Sequence, residues 1–231
     1  MSETEIARSR SELRRMKASC LAPWPVGMLR RHGLLGGVDL GDRRKSWDVL
    51  QTASFLLERL PGNAPVLDIG AYASEILPAL RRLGFASLAG IDLNPAIRRM
   101  PHGDAIRYVT GDFLRAPFPD ASFDAITAVS VIEHGFDAAR LLAEMRRLLR
   151  PGGYFVASFD YWPQKVDTTG IEVFGLDWTI FSREEILDLL SRARAQGMEP
   201  VGPVALESGD RVIRWGGREY TFGWMALRKS A

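Results

Sequence analysis

Residues 67–75 read "LDIGAYASE" and contain the residue types of a ligand-binding turn. An acid, Asp68, ends an apolar run, and a single glycine, Gly70, follows it. A glycine turn lets the backbone approach a ligand closely, and an acid roughly 20 residues later can accept hydrogen bonds from both hydroxyls of a ribose. Asp92 stands at that spacing. Asp92 also suits a helix N-cap or a turn ahead of Pro95, and the spacing alone leaves both interpretations open.

Further polar residues follow other apolar runs. In an open parallel sheet, ligands bind beyond the carboxyl ends of the strands. The segments expected at those ends therefore hold the candidate site residues, and they are 68–74, 92–94, 111–113, 130–134 and 160–162.

The elements that must position these residues are predicted from hydrophobic patterning. Strands are indicated by runs rich in Val, Ile, Leu and Ala with little alternation, as expected of strands covered on both faces: 65–70, 87–93, 106–110, 123–130 and 154–160. Helical stretches are expected at 46–60, 74–83, 95–99 and 136–149, and Ser182 with Glu185 forms a capping-box pair before a further helix. This β-α order predicts an α/β fold with a doubly wound, mostly parallel sheet and helices on both faces.

The two ends of the chain have a different pattern. Segments 201–206, 211–215 and 219–227, separated by glycines, predict antiparallel strands at the C-terminal edge of the sheet. Residues 1–45 predict a polar helix and an irregular segment, which we interpret as a helical appendage or lid. Residues 46–231 are then expected to form the main domain.

Composition limits the classes of partner. The net charge of +2 and the mixed charge signs do not indicate nucleic-acid binding. Cys20 is the only cysteine, which excludes an internal disulfide and favours a reducing cytoplasm. No run approaches the ~20 apolar residues of a membrane span. The three histidines show no metal-ligand spacing, so no metal is expected. Neither a Gly-x-Ser-x-Gly elbow nor a P-loop is present.

Four segments in order carry a family resemblance: "VLDIGAYAS", "AGIDLNP", "VTGDFLRAPFPDASFDAITAVSVIEH" and "RRLLRPGGYFVAS". Together they resemble the class I, Rossmann-like methyltransferases that use S-adenosylmethionine (SAM), of the small-molecule type. The resemblance covers about residues 65–160. It implies a seven-stranded sheet and SAM as cofactor. The cofactor-binding residues that it implies are Asp68, Gly70, Ala71, Tyr72, Asp92, Leu93, Asp112, Phe113 and Ser130.

Each of these residues has an implied role. Asp92 would accept hydrogen bonds from the ribose hydroxyls, Asp112 would accept one from the adenine amino group, and Leu93 and Phe113 would flank the ring. The remaining residues would surround the methionine moiety. The chain departs from the family at Tyr72 and Ser74, where glycines are usual. We expect a modified but working site, because a sulfonium amino acid demands fewer glycines than a pyrophosphate does.

The resemblance also implies an acceptor side. His134 would act as catalytic base, with Glu133, Tyr161 and Trp162 contacting a small-molecule acceptor, for which we favour a hydroxyl of a sugar or natural-product intermediate. The aromatic residues could instead belong to the core, and His134 could merely end a strand. The alternative functions are a SAM-binding protein without catalysis and a nicotinamide-dependent oxidoreductase, which the missing Gly-x-Gly-x-x-Gly disfavours. The oligomeric state stays open, with a homodimer possible.

Overall fold

A computed structural model describes residues 1–231 except for the side chain of Arg31. The chain divides into two compact units: residues 4–117, and residues 118–231 together with residues 1–3. No described helix combines the length and the apolar character that crossing a bilayer requires.

The 4–117 unit contains three parallel strands. They are β1 (Val66–Ile69), β2 (Leu88–Asp92) and β3 (Ile106–Thr110), with β2 between the other two. Every residue of β1 is buried, which agrees with its unbroken apolar sequence. The three predicted runs are confirmed to within a residue or two at each end.

The helices of this unit are α1 (Glu3–Arg15), α2 (Trp24–Arg31), α3 (Ser46–Arg59) and α4 (Ile76–Arg82). Short 3₁₀ turns cover Arg43–Lys45, Pro95–Arg99 and Phe113–Arg115. Helix α2 lies in the segment that we expected to be irregular. Its proline lies in the first turn, where a missing N–H leaves no helical hydrogen bond unmade. Pro78 is accommodated in α4 for the same reason, because it is the third residue.

The 118–231 unit joins parallel and antiparallel strands. β4 (Phe123–Val129) runs parallel to β5 (Leu149–Tyr161), and the short β6 (Glu172–Val173) and β7 (Leu176–Asp177) form a separate hairpin. β8 (Met198–Pro200), β9 (Ile213–Trp215) and β10 (Arg218–Lys229) follow. β10 pairs antiparallel with β5, β8 and β9. The two helices are α5 (Ala138–Leu148) and α6 (Arg183–Ala195), and α6 carries the predicted capping box.

The fold class is thereby confirmed as α/β with mostly parallel strands and an antiparallel C-terminal edge. Seven strands, β1 to β5 with β8 and β10, match the expected number, and β9 adds a short eighth. The strand predicted at 201–206 is wrong, since β8 ends at Pro200 and residues 201–212 are irregular. Gly202, with φ of +81°, and Pro203, which has no N–H to donate, interrupt pairing there.

Candidate functional site

The turn after β1 is the first part of the candidate cofactor site. Positive φ occurs at Gly70 (+65°) and Ala73 (+58°) and, within this fully described turn, at neither Tyr72 nor Ser74. The two positions where the family usually has glycine therefore do not need left-handed backbone here. Ala73 adopts that conformation instead, at a cost of roughly 1–2 kcal/mol for a residue with a β-carbon.

Asp92 connects the end of β2 to this turn. Its Oδ2 accepts a hydrogen bond from the N–H of Tyr72 at 2.9 Å, and its Oδ1 accepts one from the N–H of Asn94 at 2.7 Å. The turn-acid interpretation of Asp92 is thus realised. A carboxylate offers about four acceptor positions, so two backbone bonds leave capacity for the hydroxyls of a ligand.

The turn lies directly against β2 because β2 has a glycine at the contact. A β-carbon on Gly90 would lie 2.8 Å from Cβ of Ala71 and 2.9 Å from Cδ1 of Leu77. Ala71 is fully buried, and its N–H donates to the carbonyl of Ile91 at 3.1 Å. Gly90 is a site-shaping residue that sequence reasoning missed, although a glycine inside a buried strand is itself a signal of close backbone approach.

A buried acid and a tyrosine lie beneath the turn. Asp68 is 1% exposed, and burial followed by the negative charge of Asp68 raises the pKa of Tyr108. The Tyr108 hydroxyl donates to the carbonyl of Pro101 at 3.2 Å. Asp68 therefore acts within the unit and is not presented on its surface.

The proposed adenine side lies at the ends of β2 and β3. The N–H of Gly111 donates to the Asp92 carbonyl at 2.8 Å, which brings the two strand ends together. Asp112 accepts a hydrogen bond from the N–H of Leu114 at 2.8 Å and so caps the following 3₁₀ turn. Leu93 is 55% exposed and Phe113 is half-buried, so both leave apolar surface accessible at this edge.

In the 118–231 unit, Ser130 follows β4 in a strained conformation. Its φ is +51°, and its N–H is shared between the carbonyl and the hydroxyl of Ser158, at 3.1 and 3.2 Å. The Ser130 hydroxyl is buried and has no hydrogen-bond partner among the described residues. Non-glycine residues with positive φ cluster at functional sites, which makes Ser130 a strong candidate on geometry as well as position.

The residues that follow include Glu133 and His134, and the imidazole of His134 is partly exposed at the surface. Glu133 is fully buried, and its carbonyl accepts from the N–H of Thr179 at 2.9 Å. His134 is half-buried and forms a β-bridge with Trp178. Its ring packs edge-on against the exposed Phe174, with 5.5 Å between ring centroids. Glu133 is therefore enclosed in the unit, whereas the His134 side chain is partly exposed beside Phe174 and has a buried Nδ1.

A polar contact between an acid and a tryptophan lies next to this bridge. The indole N–H of Trp178 donates to Oδ2 of Asp160 at 2.8 Å, and both side chains are buried. Through Trp178, the structure thus brings His134 and Asp160 into one cluster. Sequence reasoning placed Asp160 among the strand-end candidates but did not predict its contact with Trp178, because that contact joins residues from two separate segments.

Tyr161 and Trp162 differ in whether their polar groups are hydrogen-bonded within the protein. Tyr161 is 2% exposed, and its hydroxyl donates to the carbonyl of Leu206 at 2.6 Å. Burial raises the pKa of this hydroxyl, opposed by the nearby Arg183. Trp162 lies under the guanidinium of Arg211, 4.2 Å from the ring centroid, and its indole N–H has no partner among the described residues. The indole N–H of Trp162 is therefore buried and unpaired among the described residues, whereas the Tyr161 hydroxyl is already engaged.

The methyltransferase-domain family model matches residues 67–157. This chain is 33% identical over 98 residues to a sterol 24-C-methyltransferase of Gibberella zeae, a match that covers 39% of this chain and 26% of the relative. It is 35% identical over 127 residues to a demethylmenaquinone methyltransferase of Deinococcus radiodurans, which covers 52% and 49%. The chain thus spans between a quarter and a half of the length of these curated relatives.

Solved structures share the fold. A 1,6-didemethyltoxoflavin-N1-methyltransferase of Burkholderia thailandensis, solved with S-adenosylhomocysteine (SAH), is 24% identical with a TM-score of 0.56, and the match covers 79% of this chain and 78% of that one. The [4+2]-cyclase SpnF is 19% identical with a TM-score of 0.59, and the match covers 83% of each chain. The resemblance found in the sequence is confirmed: residues 67–157 match the methyltransferase-domain model, and the chain shares its fold with solved methyltransferases.

Proposed function

We propose that this protein transfers a methyl group from SAM to a small-molecule acceptor. The observation that carries the proposal is the Asp92 carboxylate, held beside the turn at 70–73 by the Tyr72 N–H within the matched region. This acid lies at the end of the second strand, next to a turn whose backbone contacts the sheet. That arrangement fits the ribose of SAM and the methionine moiety attached to the ribose.

The cofactor would be held by residues of the 4–117 unit, and Ser130 keeps the cofactor role that the family resemblance implies for it. Asp92 would bind both ribose hydroxyls, and Asp112 would accept from the adenine amino group between Leu93 and Phe113. The backbone of Gly70, Ala71 and Tyr72, above the buried Asp68, would bind the methionine part. SAM supplies a methyl group on a good leaving group, so the chain must chiefly orient the acceptor and exclude water.

For the acceptor, we favour a hydroxyl on a sugar or natural-product intermediate. A hydroxyl must lose a proton as the methyl group arrives, and the His134 imidazole, whose ordinary pKa is near ~6.5, is suited to accept it at neutral pH. Trp162, whose buried indole N–H has no partner among the described residues, would help to orient such a molecule. Glu133 and Tyr161 would support these contacts from the buried side.

A SAM-binding protein without methyl transfer is the second candidate. Two observations favour it: Tyr72 adds a ring at the turn where the family has glycine, and a protein of the same fold is titled as a [4+2]-cyclase. A nicotinamide-dependent oxidoreductase is the third. We place the protein in a reducing cytoplasm, in keeping with its single cysteine.

Calorimetric titration with SAH tests the cofactor. We expect SAH to bind and Asp92→Ala to weaken binding by well over tenfold, because hydrogen bonds to a charged acceptor are worth about 1.5–3 kcal/mol each. Asp104→Ala removes an exposed acid of the same unit and should leave the affinity unchanged. Unchanged affinity in a folded Asp92→Ala protein contradicts the assignment.

Transfer itself is tested with SAM labelled at the methyl group and a panel of hydroxyl, amine and carbon acceptors. Label in any acceptor distinguishes the enzyme from the non-catalytic binder. Binding of NADH without binding of SAH supports the oxidoreductase instead.

A further inference from the structure

A buried ion pair joins the first helix to the residue that follows the cofactor turn. Arg10 of α1 donates from Nη1 to Oε1 of Glu75 at 2.7 Å and from Nη2 to Oε2 at 2.8 Å. Arg10 is 1% exposed and Glu75 is 2% exposed. Glu75 is the N-cap residue of α4 and lies two positions after the strained Ala73.

The same two side chains also hold the segment that follows α1. The N–H of Cys20 donates to Oε1 of Glu75 at 2.6 Å, and Nη1 of Arg10 donates to the Ser19 hydroxyl at 3.0 Å. Nε of Arg10 donates to the Ser46 hydroxyl at 2.9 Å. We call these five residues the Arg10 cluster: Arg10, Ser19, Cys20, Ser46 and Glu75. Nε, Nη1 and Nη2 of Arg10 therefore each have an acceptor, which is what a buried guanidinium requires.

A second contact reaches the turn from the same part of the chain. The N–H of Gly41 donates to the carbonyl of Ala73 at 2.7 Å. Gly41 has a φ of +69°, and a β-carbon there would lie 2.8 Å from Leu21 and 3.1 Å from Glu75. Segment 1–45 thus contacts the turn at Ala73 and directly after it at Glu75.

The energetics of buried ion pairs favour a positioning role for Arg10 and Glu75 over a purely stabilising one. The desolvation of two buried charges offsets much of their attraction, so a buried ion pair is weak grounds for net stability. A bidentate Arg–carboxylate pair does fix geometry. Strained backbone, such as that at Ala73, persists only where its surroundings over-determine it. Here the contacts from residues 10–46 add to the hydrogen bonds that the Tyr72 N–H donates to Asp92 and the Ala73 N–H donates to Sδ of Met100.

We propose that Arg10 and Glu75 are positioning residues that hold the turn at 70–75 in its cofactor-binding conformation, which makes segment 1–45 part of the cofactor site. This inference rests on the proposed SAM binding. It accounts for a turn with one glycine: contacts with the N-terminal segment help to hold the left-handed backbone at Ala73, which a glycine would adopt without strain.

Three variants test the pair. Arg10→Met leaves Glu75 as a buried charge, and the double variant Arg10→Met/Glu75→Leu removes both charges and keeps the volume. Arg15→Met is the matched control, because Arg15 lies on the same helix in an exposed pair with Glu12. Stability is measured by urea unfolding, SAH affinity by calorimetry, and exchange of the amides at 70–76 by hydrogen–deuterium exchange.

We expect Arg10→Met to be destabilised and the double variant to recover most of the stability. The double variant should nonetheless bind SAH at least threefold more weakly than the wild type and exchange the 70–76 amides faster, whereas Arg15→Met should match the wild type in both. If Arg10→Met does not fold, the double variant still carries the test.

A double variant with wild-type SAH affinity, or with unchanged exchange at 70–76, overturns the inference. Failure of the proposed function is distinguishable, since the wild type would then bind no SAH. The exchange comparison would still decide whether the pair holds the turn.

Discussion

Tyr72 shows how a residue can depart from a family pattern without losing the geometry that the pattern serves. The left-handed positions of the turn are Gly70 and Ala73, and the Tyr72 N–H donates to Asp92. The peptide group, and not the side chain, therefore makes the contact that organises the turn. The sequence alone could flag the substitution but could not show which positions need positive φ, because that depends on the path from β1 to α4.

Replacing Tyr72 with glycine should not tighten SAH binding and should weaken it by a few-fold. Glycine adds conformational freedom that folding and binding must remove, at about 0.4–1 kcal/mol. Titration of both proteins with SAH under one condition measures the difference. Clearly tighter binding by Tyr72→Gly would mean that the ring obstructs the cofactor.

His134 is the residue whose role depends on chemistry still to be measured. If it accepts the proton of an acceptor hydroxyl, His134→Ala should lower turnover by ~10²-fold or more, within the usual range for loss of a general base. SAH affinity should stay nearly unchanged. Turnover of the acceptor found in the labelling panel is the measurement, with Phe174→Ala as a control that removes the ring packed on His134 but keeps the imidazole. Full turnover in folded His134→Ala leaves orientation and desolvation as the mechanism.

Single residues with a strand-end position could be predicted, but distant pairs could not. Asp92 was found from its spacing after Gly70, and the structure places it beside the turn. Arg10 and Glu75 are separated by 65 positions, and nothing in either local sequence marks the other as its partner. Asp160 and Trp178 were missed as a pair for the same reason.

Among the elements, buried strands and capped helices were predicted best. β1 to β4 and α6 carry local signals, either an unbroken apolar run or a capping box. The element predictions were wrong at 24–31, where a short helix occurs amid prolines and glycines. They were also wrong at 201–206, where an apolar segment forms no strand. Both depend on tertiary contacts more than on local pattern.

The capping box of α6 gives a prediction at this scale. Ser182 accepts from the Glu185 N–H, and the Glu185 carboxylate accepts from the Ser182 N–H at 2.7 Å. Ser182→Ala should therefore lower the free energy of unfolding by about 1 kcal/mol, the usual cost of losing an N-cap. Ser191→Ala, an exposed position of the same helix, should be neutral or slightly stabilising. Urea unfolding measures both.

The pH dependence of this cap has a definite sign. Burial acts to raise the pKa of Glu185, but hydrogen bonds from Lys165 and from Ser182 outweigh it and lower the pKa below its ordinary value. A depressed pKa in the folded state adds stability above the unfolded pKa, near ~4.3, and loses it as the pH falls through the folded value. The stability difference between wild type and Glu185→Gln should therefore shrink below about pH 4. A constant difference from pH 7 to pH 3 contradicts this account.

At the scale of the whole molecule, the family core is predictable and the acceptor is not. The ordered motifs cover about residues 65–160, and the family model matches 67–157. The relatives that share this region are named for a sterol and for demethylmenaquinone. One fold hosts many chemistries, so the shared strands do not identify the acceptor, and we propose that residues outside them, such as Trp162 and the irregular segment 201–212, do.

Binding of the cofactor product should be visible in the stability of the whole chain. A ligand that binds only the folded state stabilises it by about 2.7 kcal/mol at a concentration 100 times its dissociation constant. For a chain of this length, that free energy raises the melting temperature by roughly 5–10 °C. We therefore expect SAH to raise the melting temperature of the wild type by that amount in differential scanning fluorimetry. At the same SAH concentration, Asp104→Ala should shift as the wild type does and Asp92→Ala should shift far less, because it lacks the carboxylate that we propose binds the ribose. A shift produced by NADH and not by SAH would favour the oxidoreductase, and an equal SAH shift in both variants would remove Asp92 from the cofactor site.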